Sequence, residues 1–176
     1  MNRVGLFGKM PAKADFVRHN IAEPAARAFD NWLHQGVETL RMANCTPASS
    51  PVRFLFSPRG TGQVLVGLMV PSRDQVGRLF PLTAFFPMDA AYFARRFSGI
   101  PLACDSFLES LYRILSQAEH MSFEQLVGHI DSIPAPSVAQ FQKAQEIGAR
   151  IQQSVGATDF LSGSFDMAAG EHQYGL

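Results

Sequence analysis

Seven consecutive apolar residues at positions 64–70 constrain the fold of this chain more than any other feature. A half-buried strand alternates apolar and polar side chains, whereas this run has no polar position, so both faces of its strand must be covered. Residues 52–56 are β-branched and aromatic, and the Gly- and Pro-containing segment 57–62 between the two runs predicts a hairpin. We therefore predict that residues 64–70 form the central strand of a sheet.

The rest of the chain supplies another strand and the helices that cover the sheet. Residues 78–86 predict a strand in which Pro81 causes a bulge, an edge or a late start. Residues 24–40 repeat apolar side chains at helical spacing, and Trp32 is assigned to the core on that pattern. Together these elements predict an α+β fold, similar to an α/β sandwich, with a mixed, largely antiparallel sheet covered by helices. Ser-x-x-Glu/Gln capping boxes predict further helix starts at Ser106, Ser122 and Ser137.

Composition limits the class of protein. The 15 basic and 15 acidic residues balance, so no overall field attracts nucleic acid or an acidic membrane surface. No apolar run approaches the roughly 20 residues that span a bilayer, and no signal-peptide pattern opens the chain. Cys45 and Cys104 form no Cys-x-x-Cys motif, which predicts reduced thiols. We expect a cytoplasmic protein with a single domain at residues 1–153 and an irregular segment at 154–176.

Two segments rich in Gly, Pro and Asp, at residues 5–18 and 69–83, have the composition of constrained turns. Both place basic side chains beside a carboxylate, so a fold that joined them would create a mixed-charge cluster. Such a cluster could be catalytic, could recognise a partner or could hold the loops together, and the sequence leaves all three open. The candidate positions for recognition or loop architecture are Gly8, Lys9, Pro11, Asp15, Phe16, Pro71, Ser72, Asp74, Gly77, Arg78 and Pro81.

General chemistry favours structural roles for several of these side chains. Lys9 and Lys13 are expected to be solvated or paired with Asp15, because surface charges usually are. The side chain of Ser72 or Asp74 is expected to bond to the backbone of its own turn. The chain contains no nucleophile elbow, no metal-ligand spacing and no complete phosphate-binding loop. We therefore assign no catalytic, metal-binding or cofactor-binding residue.

The two segments resemble the signatures of the TagF family, also called ImpM, of type VI secretion accessory proteins. Residues 8–11 and 15–17 are similar to the family's Gly-Lys-x-Pro and Gly-Asp-Phe-Val-Arg motifs. Residues 71–83 resemble its Pro-Ser-x-Asp-x-x-Gly-Arg-x-Phe-Pro-Leu-Thr motif, and Trp32 lies between the two, where the family also has a tryptophan. The resemblance extends over about the first hundred residues.

This resemblance implies a cytoplasmic, non-catalytic regulator that restrains type VI secretion after translation. Its implied partner is an FHA-domain scaffold protein of the secretion apparatus, with no nucleic acid and no membrane insertion. An alternative is an anion- or nucleotide-binding module, or an enzyme, that uses the loops of Lys9, Asp15 and Arg78, because glycine amides beside basic groups can face a phosphate. A structural subunit of the secretion machine is a third possibility. The sequence predicts no cofactor and leaves the oligomeric state open.

Overall fold

The computed structural model describes residues 3–45, 49–93 and 99–155 and has an antiparallel sheet with helices on both faces. In chain order the elements are β1 (Gly5–Gly8), β2 (Val17–His19), α1 (Pro24–Met42), β3 (Val52–Phe56), β4 (Gln63–Val70), β5 (Leu82–Asp89), α2 (Ala90–Phe93), α3 (Ile100–Ala103), α4 (Asp105–Leu115), a 3-10 turn (Ala118–His120), α5 (Phe123–Asp131) and α6 (Val138–Val155). The α+β class predicted from the sequence is confirmed.

The five strands lie in the order β2-β1-β5-β4-β3, and every pairing between them is antiparallel. The sheet is therefore not mixed among the described strands. The predicted hairpin of β3 and β4 is confirmed, and β5 starts late, at Leu82, directly after Pro81. The prediction that residues 64–70 form the central strand is wrong, because β5 occupies the centre. An apolar run shows that both faces are covered, but it does not identify the neighbouring strands.

Alternation along β4 explains why that strand has no polar position between residues 64 and 70. Leu65 packs with the buried face of α1, whereas Val64, Val66 and Leu68 pack with the helices on the opposite face. Each face of the sheet therefore has its own apolar core. The α1 core contains Phe7, Ala25, Ala26, Phe29, Leu33, Val37, Leu65, Phe80 and Phe85.

Trp32 is not a core residue, contrary to the expectation from helical spacing. Its side chain is 51% exposed, although its ring contacts Phe29 and Phe56 at centroid distances of 5.8 and 5.5 Å. Phe56 belongs to β3, which is an edge strand of the sheet. Among the described residues, no further strand lies beyond β3 to cover the outer part of the indole. Helical spacing gives the direction of an apolar face, but the width of the sheet decides how much of that face is buried.

Two of the three predicted capping boxes are present. Ser122 and Gln125 exchange both cap hydrogen bonds at the start of α5, and Ser137 and Gln140 do the same before α6. The prediction at Ser106 is wrong, because α4 begins one residue earlier and the Ser106 hydroxyl accepts a bond from the Gln140 side chain at 3.0 Å.

Helix α6 continues to Val155, two residues past the predicted domain boundary at 153, and the rest of the predicted irregular segment lies outside the described residues.

Cys45 is exposed and Cys104 is buried, and both thiols are free. Burial raises the pKa of Cys104 to about 12, so it stays a neutral thiol. None of the helices in the described ranges combines the length and apolar character needed to cross a membrane.

Candidate functional site

The two motif segments meet at one end of the sheet. Strands β1 and β5 are antiparallel neighbours, so the end of β1 at Gly8 lies opposite the start of β5 at Leu82. The first turn is defined as residues 9–16, which follow β1, and the second turn as residues 71–81, which precede β5. Both turns therefore project from the same end of the sheet. The mixed-charge cluster that the sequence suggested is formed here.

Gly8 lets the two turns approach each other closely. Its backbone has φ of +135°, a region that other residues rarely adopt. A Cβ atom at this position would lie 2.1 Å from the carbonyl oxygen of Pro81 and 2.8 Å from the Cα of Leu82. Only a residue without a side chain fits between the strand and the second turn.

A buried ion pair joins the turns beside this contact. The Lys9 ammonium donates to Asp74 Oδ2 at 2.8 Å, and the Arg78 Nε donates to the same oxygen at 2.6 Å. Asp74 Oδ1 accepts the backbone N–H groups of Val76 and Arg78, at 3.1 and 2.8 Å. Lys9 is 6% exposed and Asp74 2% exposed. The expectation that Lys9 is solvated or paired with Asp15 is therefore wrong, because its partner comes from the other turn.

Backbone contacts extend the connection between the turns. The N–H of Gln75 donates to the Lys13 carbonyl at 2.9 Å, and the Arg78 guanidinium donates to the Ala14 carbonyl. Asp15, in contrast, is exposed, and its carboxylate accepts the N–H of the next residue at 2.7 Å. Of the two acidic residues singled out from the sequence, only Asp74 belongs to the cluster.

Three aromatic rings pack beside the cluster, and of these Phe16 is the one that the sequence singled out as a candidate. Phe16 stacks on Phe7 at 5.7 Å and meets Phe80 edge-on at 4.8 Å between ring centroids. The Lys9 ammonium lies 5.1 Å from the centre of the Phe16 ring, and the Arg18 guanidinium lies 5.4 Å from it. Phe7 and Phe16 belong to the segment 5–18 and Phe80 to the segment 69–83, so no local spacing could have predicted the contact of all three rings.

The other predicted positions shape the second turn or border a groove next to it. Gly77 has φ of +89° and donates its N–H to the Asp74 carbonyl, which brings Arg78 back toward the carboxylate. Asp74 makes the expected side-chain bonds to its own turn, whereas Ser72 joins the turn through its backbone carbonyl, which accepts the N–H of Phe80 at 3.1 Å. The positions that border the groove are Pro11, Pro71, Ser72 and Pro81.

The groove is open, has a volume of about 1190 Å³ and runs along the second turn. It is lined by α1, by the start of β3 and the end of β4, and by the end of α4 with the residues that follow it. Trp32, which the sequence assigned to the core, and Tyr112 of α4 are both substantially exposed here. The exposed large hydrophobic residues that line the groove are Trp32, Leu40, Val52, Leu79 and Tyr112.

The chemistry of the cluster is that of a closed network. Both oxygens of Asp74 are occupied, the Lys9 ammonium is used by Asp74, and no group of three His, Cys, Asp or Glu side chains able to hold a metal occurs in the described part of the chain. Burial by itself would raise the pKa of Asp74. The hydrogen bonds from Lys9 and Arg78 outweigh that effect and hold the pKa well below its ordinary value of 3.8.

This lowered pKa predicts acid sensitivity. As the pH falls, the unfolded chain protonates Asp74 near its ordinary pKa of 3.8 while the folded chain keeps it ionised, so protons favour unfolding. The contribution of Asp74 is present above about pH 5 and is lost progressively below it. Urea unfolding from about pH 6 to pH 3 should show a smaller loss of stability for Asp74→Asn than for the parent. Equal pH slopes would contradict the assignment.

The fold and the site define an α+β domain whose two signature turns are joined by a buried Lys–Asp–Arg network beside an apolar groove. The sequence pattern of the TagF N-terminal domain, described as type VI secretion system-associated, matches residues 5–133. This chain therefore belongs to the TagF family and is a type VI secretion system-associated protein.

Comparison with solved structures agrees on the fold. The crystal structure of PA0076 from Pseudomonas aeruginosa PAO1 superposes with a TM-score of 0.60 and 22% sequence identity. The match covers 83% of this chain and 77% of that chain. No curated protein matches the sequence.

Proposed function

We propose that this protein restrains type VI secretion after translation, in the cytoplasm and without chemistry of its own, by binding an FHA-domain scaffold protein of the apparatus. The observation that carries this proposal is the match of residues 5–133 to a secretion-associated domain whose signature residues form a closed structural network. A buried ammonium and carboxylate that neutralise each other are suited to holding a surface in shape.

The geometry favours a positioning role for the two turns over direct contact with the partner. Lys9 and Asp74 are almost fully buried, so a partner cannot reach them without opening the fold. Their bonds fix the second turn, which forms one border of the apolar groove. The signature residues therefore support the adjacent surface, and that surface meets the partner.

The alternative of an anion-binding module or enzyme receives less support from the same contacts. A phosphate at Lys9 would have to displace Asp74 from a buried ion pair, and Asp15 lies outside the cluster. A thermal-shift screen with nucleotides and phosphorylated peptides tests this alternative. A ligand at about 100 times its dissociation constant would add roughly 2.7 kcal/mol of apparent stability.

The regulatory proposal is tested by binding and by secretion. The purified protein should bind the purified FHA-domain scaffold, and its overproduction should reduce release of the system's substrates while transcript levels of the secretion genes stay unchanged. An affinity pull-down from cells with an active secretion system provides the second measurement. Recovery of sheath or baseplate proteins in place of the scaffold would contradict the proposal and favour a structural subunit.

A further inference from the structure

We propose that the groove between α1, the second turn and α4 binds an apolar segment of a protein partner that carries an acidic side chain opposite Arg73. We take the FHA-domain scaffold as the source of that segment, and in this respect the inference rests on the function proposed above. The shape, residue types and charge of the groove are the same whichever protein supplies the segment.

Exposed apolar side chains cluster along the groove. Single exposed hydrophobic residues are normal on protein surfaces, but contiguous ones mark interaction sites. Nine large hydrophobic residues are exposed in the described ranges, and five of them line this groove, including Trp32 at 51% and Leu79 at 54%. The volume of about 1190 Å³ is at or above the upper end of the range of pockets that hold small molecules, roughly 300–1,000 Å³. A polypeptide segment matches this size.

The residue types in the groove are those typical of protein-binding surfaces. Trp, Tyr and Arg are the types enriched where binding energy concentrates in protein interfaces, and the groove has one of each: Trp32, Tyr112 and Arg73. Trp32 is the only tryptophan of the chain. Its ring is already held against Phe29 and Phe56, so little side-chain freedom is lost on binding.

The groove also has charged side chains along its lining. Arg73 and Glu119 are the charged residues that line the groove. Glu119 lies 3.3 Å from the His120 ring nitrogen, whereas Arg73 is exposed and has no ion-pair partner anywhere in residues 3–45, 49–93 and 99–155. The backbone of Arg73 is also held in place, because it pairs with Leu79 in a β-bridge and precedes the anchored Asp74. An exposed guanidinium beside apolar surface is complementary to a carboxylate on an otherwise apolar segment.

Shape argues for a convex segment over a second copy of this chain. In a two-fold dimer built on this face, one concave groove would meet another and leave both unfilled. A protruding strand or helix of a different protein fills the groove and places its acidic residue at the second turn. We commit to that occupant, and self-association becomes an outcome of the test.

The experiment measures binding of the full chain to purified scaffold, sheath and baseplate proteins. Arg73→Glu should weaken the interaction at least about tenfold, and Trp32→Ala by about thirtyfold or more, as expected for a central aromatic residue. Arg27→Glu is the matched control, because Arg27 is exposed on α1 and does not line the groove. It should change the affinity less than about twofold. Circular dichroism and urea unfolding confirm that each variant is folded.

A charge swap locates the carboxylate. Cross-linking identifies the partner segment, and replacing its acidic residue by lysine should restore much of the affinity lost in Arg73→Glu. Scaffold binding that is unchanged in both groove variants would overturn this inference and leave the regulatory function standing. Groove-dependent binding to a sheath or baseplate protein alone would support the inference and contradict the proposed partner. Absence of any binding, or a dimer abolished by Trp32→Ala, would overturn it.

Discussion

Asp74→Ala is expected to lower the free energy of unfolding by about 3–5 kcal/mol, because it leaves the buried Lys9 ammonium without its counter-charge. The substitution also removes the acceptor of two backbone N–H groups and of the Arg78 side chain. Urea unfolding with linear extrapolation measures the loss. The second turn should loosen with it, so the groove variants above are compared in the parent background.

Asp15→Ala is the matched control for this substitution. Asp15 lies in the first turn, is exposed and accepts one bond, from the backbone N–H of Phe16. Its loss should cost less than about 1 kcal/mol.

A double-mutant cycle of Lys9→Met with Asp74→Asn should show coupling of about 0.5–3 kcal/mol between the two sites. If Asp74→Ala and Asp15→Ala cost the same, the buried ion pair does not stabilise the junction of the turns.

Gly8→Ala should destabilise the protein by at least about 3 kcal/mol, since backbone strain of roughly 1–3 kcal/mol adds to a steric conflict. The new Cβ would fall 2.1 Å from the Pro81 carbonyl oxygen, and relief of that contact requires β1 and the second turn to separate. Separation would in turn stretch the ion pair between Lys9 and Asp74. Thermal and urea unfolding measure the effect.

Gly77→Ala separates strain from steric conflict. Gly77 also has a positive φ, of +89°, but a Cβ there would enter open space. Its substitution should therefore cost only the strain, about 1–2 kcal/mol. A loss in Gly8→Ala no larger than that in Gly77→Ala would show that the close approach of the turns can relax freely.

Much of the local structure could be read from the sequence. The apolar run at 64–70 predicted a strand covered on both faces, and the cap residues Ser122 and Ser137 predicted two helix starts that are present. Pro81 predicted a bulge, an edge or a late strand start, and the late start is the one observed. These features depend on neighbouring residues along the chain, so composition and spacing are enough to determine them.

The candidate site was predicted in part. Sequence composition selected both turns and suggested a charged cluster, and the structure places Lys9, Asp74 and Arg78 together. It could not assign the partners, because Lys9 and Asp74 are 65 positions apart and their pairing depends on the antiparallel contact of β1 and β5. From local sequence alone, Lys9 is expected to be solvated or to pair with Asp15, which is the nearer carboxylate along the chain.

The sequence by itself determined the hairpin of β3 and β4, helix α1, the two constrained turns and, through their motifs, the family. The tertiary structure decided that β5 is the central strand, that Asp74 neutralises Lys9 and that Trp32 stands at the border of a groove. The physical reason is range: backbone angles and caps are set by adjacent residues, whereas strand order, ion-pair choice and exposure follow from which distant surfaces pack together.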